Sequence, residues 1–230
     1  MAVIESLAAV RERIAAAAQK VGRDPSEISV LPVSKFHSVD AMRELMEAGI
    51  TLFGENRLQE LADKRKQLPE ARFAMIGHVQ RNKVRLVVDH VAELHSLSSV
   101  RLAAALHHRL LDEGRRLPVL IQINTSDEPQ KSGIAPQDAV GFARSIQDYS
   151  GLYVQGLMTM AVQSPDPDEV ASCFVRLREV QADLRDQVPD LHWDELSMGM
   201  SGDFELAIEH GATMVRIGTA LFGPRPTTDG

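Results

Sequence analysis

Short apolar segments alternate with longer amphipathic segments along nearly the whole chain, after a first stretch that is rich in alanine. Residues 2–20 are predicted to form a helix because their apolar positions recur at helical spacing. Strands are predicted over residues 28–35, 52–54, 73–76, 92–95, 118–124, 153–160, 195–198 and 214–217. Helices are predicted over 39–48, 56–67, 81–88, 98–113 (with Ser98 as N-cap), 136–147, 167–187 and 202–209, before the closing segment 220–223.

Strict alternation of strands and helices predicts parallel strands joined by right-handed crossovers. Eight such units fit an α/β fold, a single closed (β/α)8 TIM-type barrel with an extra N-terminal helix, and 230 residues lie at the short end of its size range. A doubly wound open sheet is the alternative, but the Gly-x-Gly-x-x-Gly expected after its first strand is absent. No domain boundary is visible, so residues 1–230 are predicted to form one domain.

Composition and charge narrow the class of protein. Hydrophobic residues make up 44% and charged residues 25% of the chain, as in soluble globular proteins. The net charge of −7 disfavours attraction to nucleic acid and to anionic membranes. The single Cys173 excludes an internal disulfide, and there is no apolar signal segment or membrane span. These features predict a cytoplasmic protein.

Lys35 ends the first predicted strand, after an apolar run, and so is predicted to lie at the carboxyl-terminal face where barrels carry their sites. One interpretation is a solvated lysine at a strand end. The other is a partly buried amine near a cation such as Arg216, which favours the neutral, nucleophilic form that condenses with aldehydes. The residue type alone leaves both interpretations open.

Arg216 lies inside the last apolar strand, where a charge is costly unless it is paired. It is predicted either to form a structural ion pair, for instance with Glu55, or to donate to a ligand acceptor. A guanidinium cannot accept a proton. If it faces a pyridine nitrogen, that nitrogen stays unprotonated, and the ring is a poor sink for electrons.

The loops after the last two strands are rich in small residues, which favours a phosphate site. Barrels commonly bind phosphate there through backbone N–H groups and hydroxyls, with glycine allowing close approach. Ordinary turn chemistry is the alternative. The candidates are Ser197, Gly199, Ser201, Gly202, Gly218 and Thr219. Together with Lys35 and Arg216, they suggest a ligand that carries both an aldehyde and a phosphate.

Other polar positions are interpreted as structural or remain weaker candidates. His78 follows the third strand and either contacts ligand or caps the strand, while His107-His108 lacks a third metal ligand at suitable spacing. Cys173 is predicted in the core, and the charged run 63–67 as a solvated helix face. The polar loop 126–133 is a candidate lid or a plain solvated loop.

Several ordered motifs together resemble one protein family over nearly the whole chain. They are Val-Ser-Lys at 33–35, Phe-Gly-Glu-Asn at 53–56, Gln-Glu at 59–60, Ile-Gly-His-Val-Gln-Arg-Asn-Lys at 76–83, Gln-Ile-Asn at 122–124, Lys-Ser-Gly at 131–133, Gly-Leu-Met-Thr-Met at 156–160, Leu-Ser-Met-Gly-Met-Ser at 196–201 and Met-Val-Arg-Ile-Gly-Thr-Ala-Leu-Phe-Gly at 214–223. The chain resembles the pyridoxal phosphate homeostasis (YggS/PROSC) family. It departs from that pattern at Phe36-His37, where relatives often carry a small polar residue and another lysine.

The resemblance implies a barrel similar to the N-terminal domain of alanine racemase that binds pyridoxal 5′-phosphate (PLP). Lys35 would hold the cofactor as an aldimine, Arg216 would face the pyridine nitrogen, and Asn56 would lie near the ring. The implied phosphate ligands are Ser197, Ser201, Gly218 and Thr219, with Met200 and Ile76 as further contacts. No metal ligand and no catalytic residue is implied.

The implied role is intracellular vitamin B6 homeostasis with little or no turnover. Racemases of this fold use a tyrosine from an additional β domain as a second base, and the 230 residues are expected to leave none for such a domain. Tyr149 and Tyr153 are predicted at the opposite face of the barrel from Lys35. The alternatives are a PLP-dependent amino acid racemase or lyase and a sugar-phosphate enzyme. PLP-dependent apoenzymes are the expected recipients, and a monomer or weak homodimer is expected.

Overall fold

Eight parallel strands form one sheet in the computed structural model, which describes residues 3–126, 128 and 132–224. The strands are β1 (Ser29–Pro32), β2 (Leu52–Glu55), β3 (Arg72–Met75), β4 (Glu93–Leu97), β5 (Leu117–Gln122), β6 (Leu152–Met158), β7 (Glu195–Met200) and β8 (Met214–Ile217). The helices are α1 (Val3–Lys20), α2 (Val39–Glu47), α3 (Leu58–Gln67), α4 (Val84–His90), α5 (Val100–Asp112), α6 (Ala139–Ile146), α7 (Pro167–Gln187), α8 (Phe204–Glu209) and α9 (Thr219–Phe222). The predicted TIM-type (β/α)8 fold is confirmed.

The barrel closes between its first and last strands. β1 pairs in parallel with β8, with Leu31 opposite Arg216. On its other side, Val33 forms a parallel bridge to Gly54, and the Ser34 N–H donates to the Gly54 carbonyl at 3.0 Å. The predicted neighbourhood of the first and last strands is therefore confirmed, and an open doubly wound sheet is excluded.

Helix α1 covers the barrel beside α8. Its buried face carries Leu7, Val10 and Ile14, spaced as an amphipathic helix requires. At its exposed edge, Arg13 and Lys20 reach the carboxylates of Glu205 and Glu209, both at 2.6 Å. Exposed ion pairs contribute about 0–1 kcal/mol each, so the apolar face stabilises this packing more than the charges do.

A small apolar cluster closes the barrel beneath its mouth. It consists of Leu31, Ala74 and Met214, with Ile76 packed against it. Because strand residues two apart share a face, Met214 lies on the same face of β8 as Arg216. The cluster therefore packs apolar side chains against Ile76.

Two details of the predicted elements are wrong. The N-cap of α5 is Ser99, whose hydroxyl accepts from the Leu102 N–H at 3.4 Å, and not Ser98. The helices predicted from residues 56 and 202 begin at Leu58 and Phe204, because the residues before them remain in the loops that leave β2 and β7. Helix boundaries depend on cap geometry, which propensity does not resolve.

Within the residues described above, no helix combines the length and apolar character needed to cross a membrane. Nor do three or more His, Cys, Asp or Glu side chains gather there as a metal site. The single domain predicted over 1–230 includes residues beyond the described ranges and stays a prediction.

Candidate functional site

A cavity of about 430 Å3 opens at the carboxyl ends of the strands, the face on which such barrels carry their sites. Its volume falls in the range of roughly 300–1,000 Å3 typical of small-molecule sites. The predicted site residues that line it are Lys35, Asn56, Ile76, Met200, Ser201, Gly202, Arg216, Gly218 and Thr219. Folding thus brings together residues from both ends of the chain.

Lys35 lies just beyond β1, where the chain leaves the sheet. The residues before it are held on both sides, because the Val33 N–H donates to the Ile217 carbonyl at 2.8 Å and the Ser34 N–H donates to Gly54. The Lys35 side chain is half-buried and lines the cavity. A flexible side chain therefore starts from a fixed backbone.

Arg216 is held by oxygens of the neighbouring strands. Its Nη1 donates to the Ser197 carbonyl at 2.6 Å and to the Ser197 hydroxyl at 2.9 Å, and its Nη2 donates to the Thr159 carbonyl at 2.7 Å. The residue is 4% exposed. Three donated bonds fix the plane of the guanidinium at the cavity wall.

Burial lowers the pKa of Arg216 to about 10, and the negative charge of Asp203 partly opposes this effect. Arg216 consequently stays protonated at neutral pH. The alternative ion pair with Glu55 does not form, because the Glu55 carboxylate bonds to Lys64 and Ser34 instead. Among the described residues, the hydrogen bonds of the Arg216 guanidinium go to uncharged oxygens.

Ser197 occupies a different place from the other predicted residues. It is fully buried on β7 and does not belong to the described cavity lining. Its hydroxyl accepts from Arg216. In this structure Ser197 contacts the guanidinium rather than the cavity, so its clearest role is to orient Arg216.

The loops after β7 and β8 meet at one end of the cavity. The Ser201 hydroxyl accepts from the Ala220 N–H at 3.3 Å and so joins the two loops. Asp203 fixes the first loop by accepting from the Met200 N–H. A Cβ placed on Gly202 would meet no protein atom within 4 Å. Hydroxyls and open backbone are what an anion requires at this position.

Several lining residues were not singled out from the sequence as site residues. Gln122 is buried, and its amide donates to the Ser132 carbonyl at 2.8 Å. His37 lines the mouth and stacks on Phe222, with ring centroids 4.8 Å apart. Position near the end of a predicted strand, two residues before Asn124, is the signal that could have identified Gln122.

The weaker candidates separate clearly. His78 is exposed and lines the cavity. Cys173 is a free thiol buried in the core, as predicted. His107 accepts from the Gly151 N–H and stacks on Tyr149, while Tyr153 stacks against His192. Neither tyrosine belongs to the described lining of the cavity.

The charged run 63–67 was predicted as a solvated helix face, and this is wrong for Lys64. Lys64 is 6% exposed and bonds to Glu55, Glu60 and the Ser34 carbonyl. Asp63 and Lys66 on the same helix do pair at the surface. Helical periodicity places Lys64 on the inward face of α3, four residues from Glu60.

The candidate lid over 126–133 is described only in part. Residues 127 and 129–131, including Lys131 of the Lys-Ser-Gly motif, lie outside the described residues. The segment around this gap is held to the sheet by a parallel bridge between Ile123 and Ile134. The Asn124 amide also donates to the Glu128 carbonyl at 3.0 Å. Whether the loop acts as a lid stays a prediction.

Comparison of the sequence with known proteins finds close relatives. Residues 6–226 match the family model "Alanine racemase, N-terminal domain". A protein of Pseudomonas aeruginosa named pyridoxal phosphate homeostasis protein is 41% identical over 227 residues, which cover 97% of this chain and 96% of that protein.

Solved structures agree with these matches. PipY of Synechococcus elongatus PCC7942, in a structure with PLP bound, is 34% identical with a TM-score of 0.81 and covers 93% of this chain and 100% of its own. Alanine racemase of Clostridium difficile superimposes with a TM-score of 0.74 at 12% identity, covering 95% of this chain and 57% of its own. The second likeness supports the fold alone.

Proposed function

This chain belongs to the family of pyridoxal phosphate homeostasis proteins, and we propose that it binds PLP and serves cofactor homeostasis as a carrier with little or no turnover. The observation that carries the proposal is the chemistry of one cavity. An amine from Lys35, a charged donor from Arg216 and the hydroxyl and glycine loops after β7 and β8 line it together.

These residues fit three of the polar groups of PLP, namely its aldehyde, its pyridine nitrogen and its phosphate. Lys35 is the group for the aldehyde, and Arg216 is the donor for the pyridine nitrogen. Ser201, Gly218 and Thr219 would hold the phosphate, and Asn56, Ile76 and Met200 would contact the ring. The hydroxyl of Ser197 holds Arg216 in place. Bound PLP supplies a reactive aldehyde and an electron-withdrawing ring.

Lys35 supplies the covalent attachment. Its neutral Nζ attacks the aldehyde carbon, a C–N bond forms, and the loss of one water molecule leaves a C=N Schiff base. No further reactant is needed. Attachment to Lys35 keeps the aldehyde away from other amines in the cell, which is the physical content of a homeostasis role.

Arg216 restrains chemistry at the ring. The guanidinium can donate to the pyridine nitrogen but cannot accept a proton. With a pKa of about 10, it remains charged at neutral pH and disfavours a second positive charge beside it. Without a protonated ring nitrogen, carbanions are poorly stabilised, which supports holding of the cofactor over turnover.

The test is a PLP titration of the purified protein followed by visible absorbance, together with an exchange assay in deuterium oxide. We expect a Schiff-base band that saturates at one PLP per chain and no sustained exchange at the α-carbon of a panel of amino acids. A wild-type protein that develops no band contradicts covalent PLP binding. Sustained exchange that disappears in Lys35→Ala contradicts the carrier role and indicates a racemase or lyase.

The expected location is the cytoplasm, and the expected recipients are PLP-dependent apoenzymes. A single cysteine that is buried as a free thiol supports a reducing compartment. Activation of a purified apoenzyme by the loaded protein, compared with the same concentration of free PLP, tests delivery. Equal activation rates at all concentrations contradict direct transfer.

A further inference from the structure

A buried ionic cluster bonds to the two residues that flank Lys35 in the chain. We call the four residues Ser34, Glu55, Glu60 and Lys64 the Lys64 cluster. The Lys64 ammonium donates to the Ser34 carbonyl at 2.6 Å, to Glu55 Oε1 at 2.7 Å and to Glu60 Oε1 at 2.8 Å. An ammonium has three protons, so each is used within the cluster.

Both neighbours of Lys35 are tied to this cluster. On one side, the Ser34 carbonyl accepts from Lys64, and its hydroxyl donates to Glu55 Oε1 at 2.7 Å. On the other side, the Phe36 N–H donates to Glu60 Oε1 at 2.7 Å. The backbone on each side of Lys35 is thus fixed by the same group of charges.

Phe36 adopts a backbone conformation that requires such support. Its φ of 67° lies in the left-handed region, and Phe36 is the single residue other than glycine with positive φ in the described part of the chain. Aromatic residues rarely adopt this conformation. Strained backbone persists where surrounding contacts determine it and is common at functional sites. Here the strain falls on the residue next to Lys35.

The cluster is a costly way to stabilise a fold. Glu55 is fully buried, and its Oε2 has no hydrogen-bond partner in the described structure. Burial raises the pKa of Glu55, and the Lys64 charge opposes that rise. Apolar residues of similar volume often stabilise a protein as well as a buried ion pair does. What the ions add here is a fixed geometry for the turn that carries Lys35.

We propose that Glu60 and Lys64, with Glu55, are positioning residues that hold the Lys35 backbone so that its amine reaches the aldehyde of the cofactor. The inference rests on the proposed function, because it assigns these residues a task in the reaction of Lys35. Arg216 lies on β8, and the two small-residue loops follow β7 and β8, whereas the cluster lies on β2, on α3 and just after β1. Loss of the positioning residues should therefore weaken the amine–aldehyde reaction and leave non-covalent binding intact.

The test compares two ligands on the full-length protein after removal of bound cofactor. PLP reacts with Lys35, whereas pyridoxine 5′-phosphate has an alcohol in place of the aldehyde and binds only non-covalently. Glu60→Ala removes the acceptor of the Phe36 N–H, and the 22% exposure of the Glu60 side chain favours a folded variant. Asp63→Ala is the matched control, because it removes an acidic surface residue from the same helix.

We expect Glu60→Ala to weaken PLP binding by about threefold to tenfold, the effect of losing one ordinary hydrogen bond, because Glu60 acts on the cofactor only through the backbone beside Lys35. Pyridoxine 5′-phosphate should bind as it does to the wild type, and Asp63→Ala should leave both affinities unchanged. The double variant Glu55→Gln/Lys64→Met removes both charges of the buried Glu55–Lys64 pair, so neither position keeps an unpaired charge. It should also bind PLP more weakly and bind pyridoxine 5′-phosphate as the wild type does.

Two results would overturn the inference and leave the proposed function standing. An unchanged PLP affinity in Glu60→Ala and in the double variant would show that Lys35 does not need the cluster. An equal loss for both ligands would show that the cluster supports the cavity as a whole. If the wild type binds pyridoxine 5′-phosphate but forms no Schiff base with PLP, the proposed function fails first, and the inference fails with it.

Discussion

Leu31 of β1 is the register partner of Arg216 of β8, and this pairing brings the two ends of the chain to one cavity. Lys35 follows Leu31 along the same segment, so the closure that pairs the strands also places the amine and the guanidinium in one cavity lining. A sheet left open between β1 and β8 would separate them. The site that combines Lys35 and Arg216 therefore depends on closure of the barrel.

Replacement of Arg216 should weaken PLP binding and change the absorbance band. A hydrogen bond from a charged donor contributes about 1.5–3 kcal/mol, so Arg216→Ala should weaken binding roughly tenfold to a hundredfold. Spectral titration measures both effects. Arg13→Ala, which removes an exposed arginine paired with Glu205, is the control. An unchanged spectrum in Arg216→Ala would make Arg216 purely structural.

Replacement of Ser197 and replacement of Ser201 should affect ligands with and without a phosphate differently. Ser201 lines the cavity between the two loops, whereas Ser197 bonds to Arg216. Ser201→Ala should weaken PLP binding about threefold to tenfold and leave the affinity for pyridoxal, which lacks the phosphate, unchanged. Ser197→Ala should lower the affinities for PLP and for pyridoxal by the same factor. The reverse pattern would support the phosphate role predicted for Ser197.

His37 should make stability depend on pH in the acidic range. Burial and the nearby Lys64 charge lower the pKa of His37 below 6.5, and Glu60 opposes the shift. The unfolded chain then binds a proton that the folded chain resists, so the free energy of unfolding should fall as pH drops below 6.5. His37→Phe keeps an aromatic ring beside Phe222 and should reduce this slope. Denaturant titrations between pH 5 and 7 measure it, and an identical slope in the variant contradicts the assignment.

The N-cap of α5 offers a stability test with an adjacent control. Ser99→Ala removes the hydroxyl that accepts from Leu102 and should lower the free energy of unfolding by about 1 kcal/mol. Ser98→Ala should change it by less than about 0.5 kcal/mol. Equal losses in urea titrations would show that Ser99 is not the energetically important cap.

The sequence predicted those parts of the site that depend on strand ends. Lys35, Asn56 and Arg216 each lie at or just beyond the carboxyl end of an apolar segment, and parallel strands gather these ends at one face. The small residues after the last two strands marked the loops around Ser201 and Gly218 in the same way. The fold followed from periodicity, whereas the role of each residue toward PLP was implied by the family resemblance, because residue type alone left alternatives open.

Side-chain direction was harder to predict. Ser197 was expected at the phosphate, yet its hydroxyl bonds to Arg216. The alternation of a strand shows which face a residue lies on but does not show which side chain it contacts there. Lys64 was interpreted as solvated because its neighbours are charged, yet the turn of α3 buries it against Glu55. Hydrogen-bond and ion-pair partners on different elements are set by tertiary packing, so a local charge pattern does not predict them.

The central claim is that Lys35 binds PLP covalently, and borohydride reduction followed by peptide mass mapping tests it most directly. Reduction converts the C=N bond to a stable C–N bond and fixes the cofactor on the lysine that formed it. We expect the mass of one reduced pyridoxyl phosphate on the peptide that contains Lys35, and none in Lys35→Ala. A wild-type protein with no adduct, or with its adduct on another lysine, would contradict the claim.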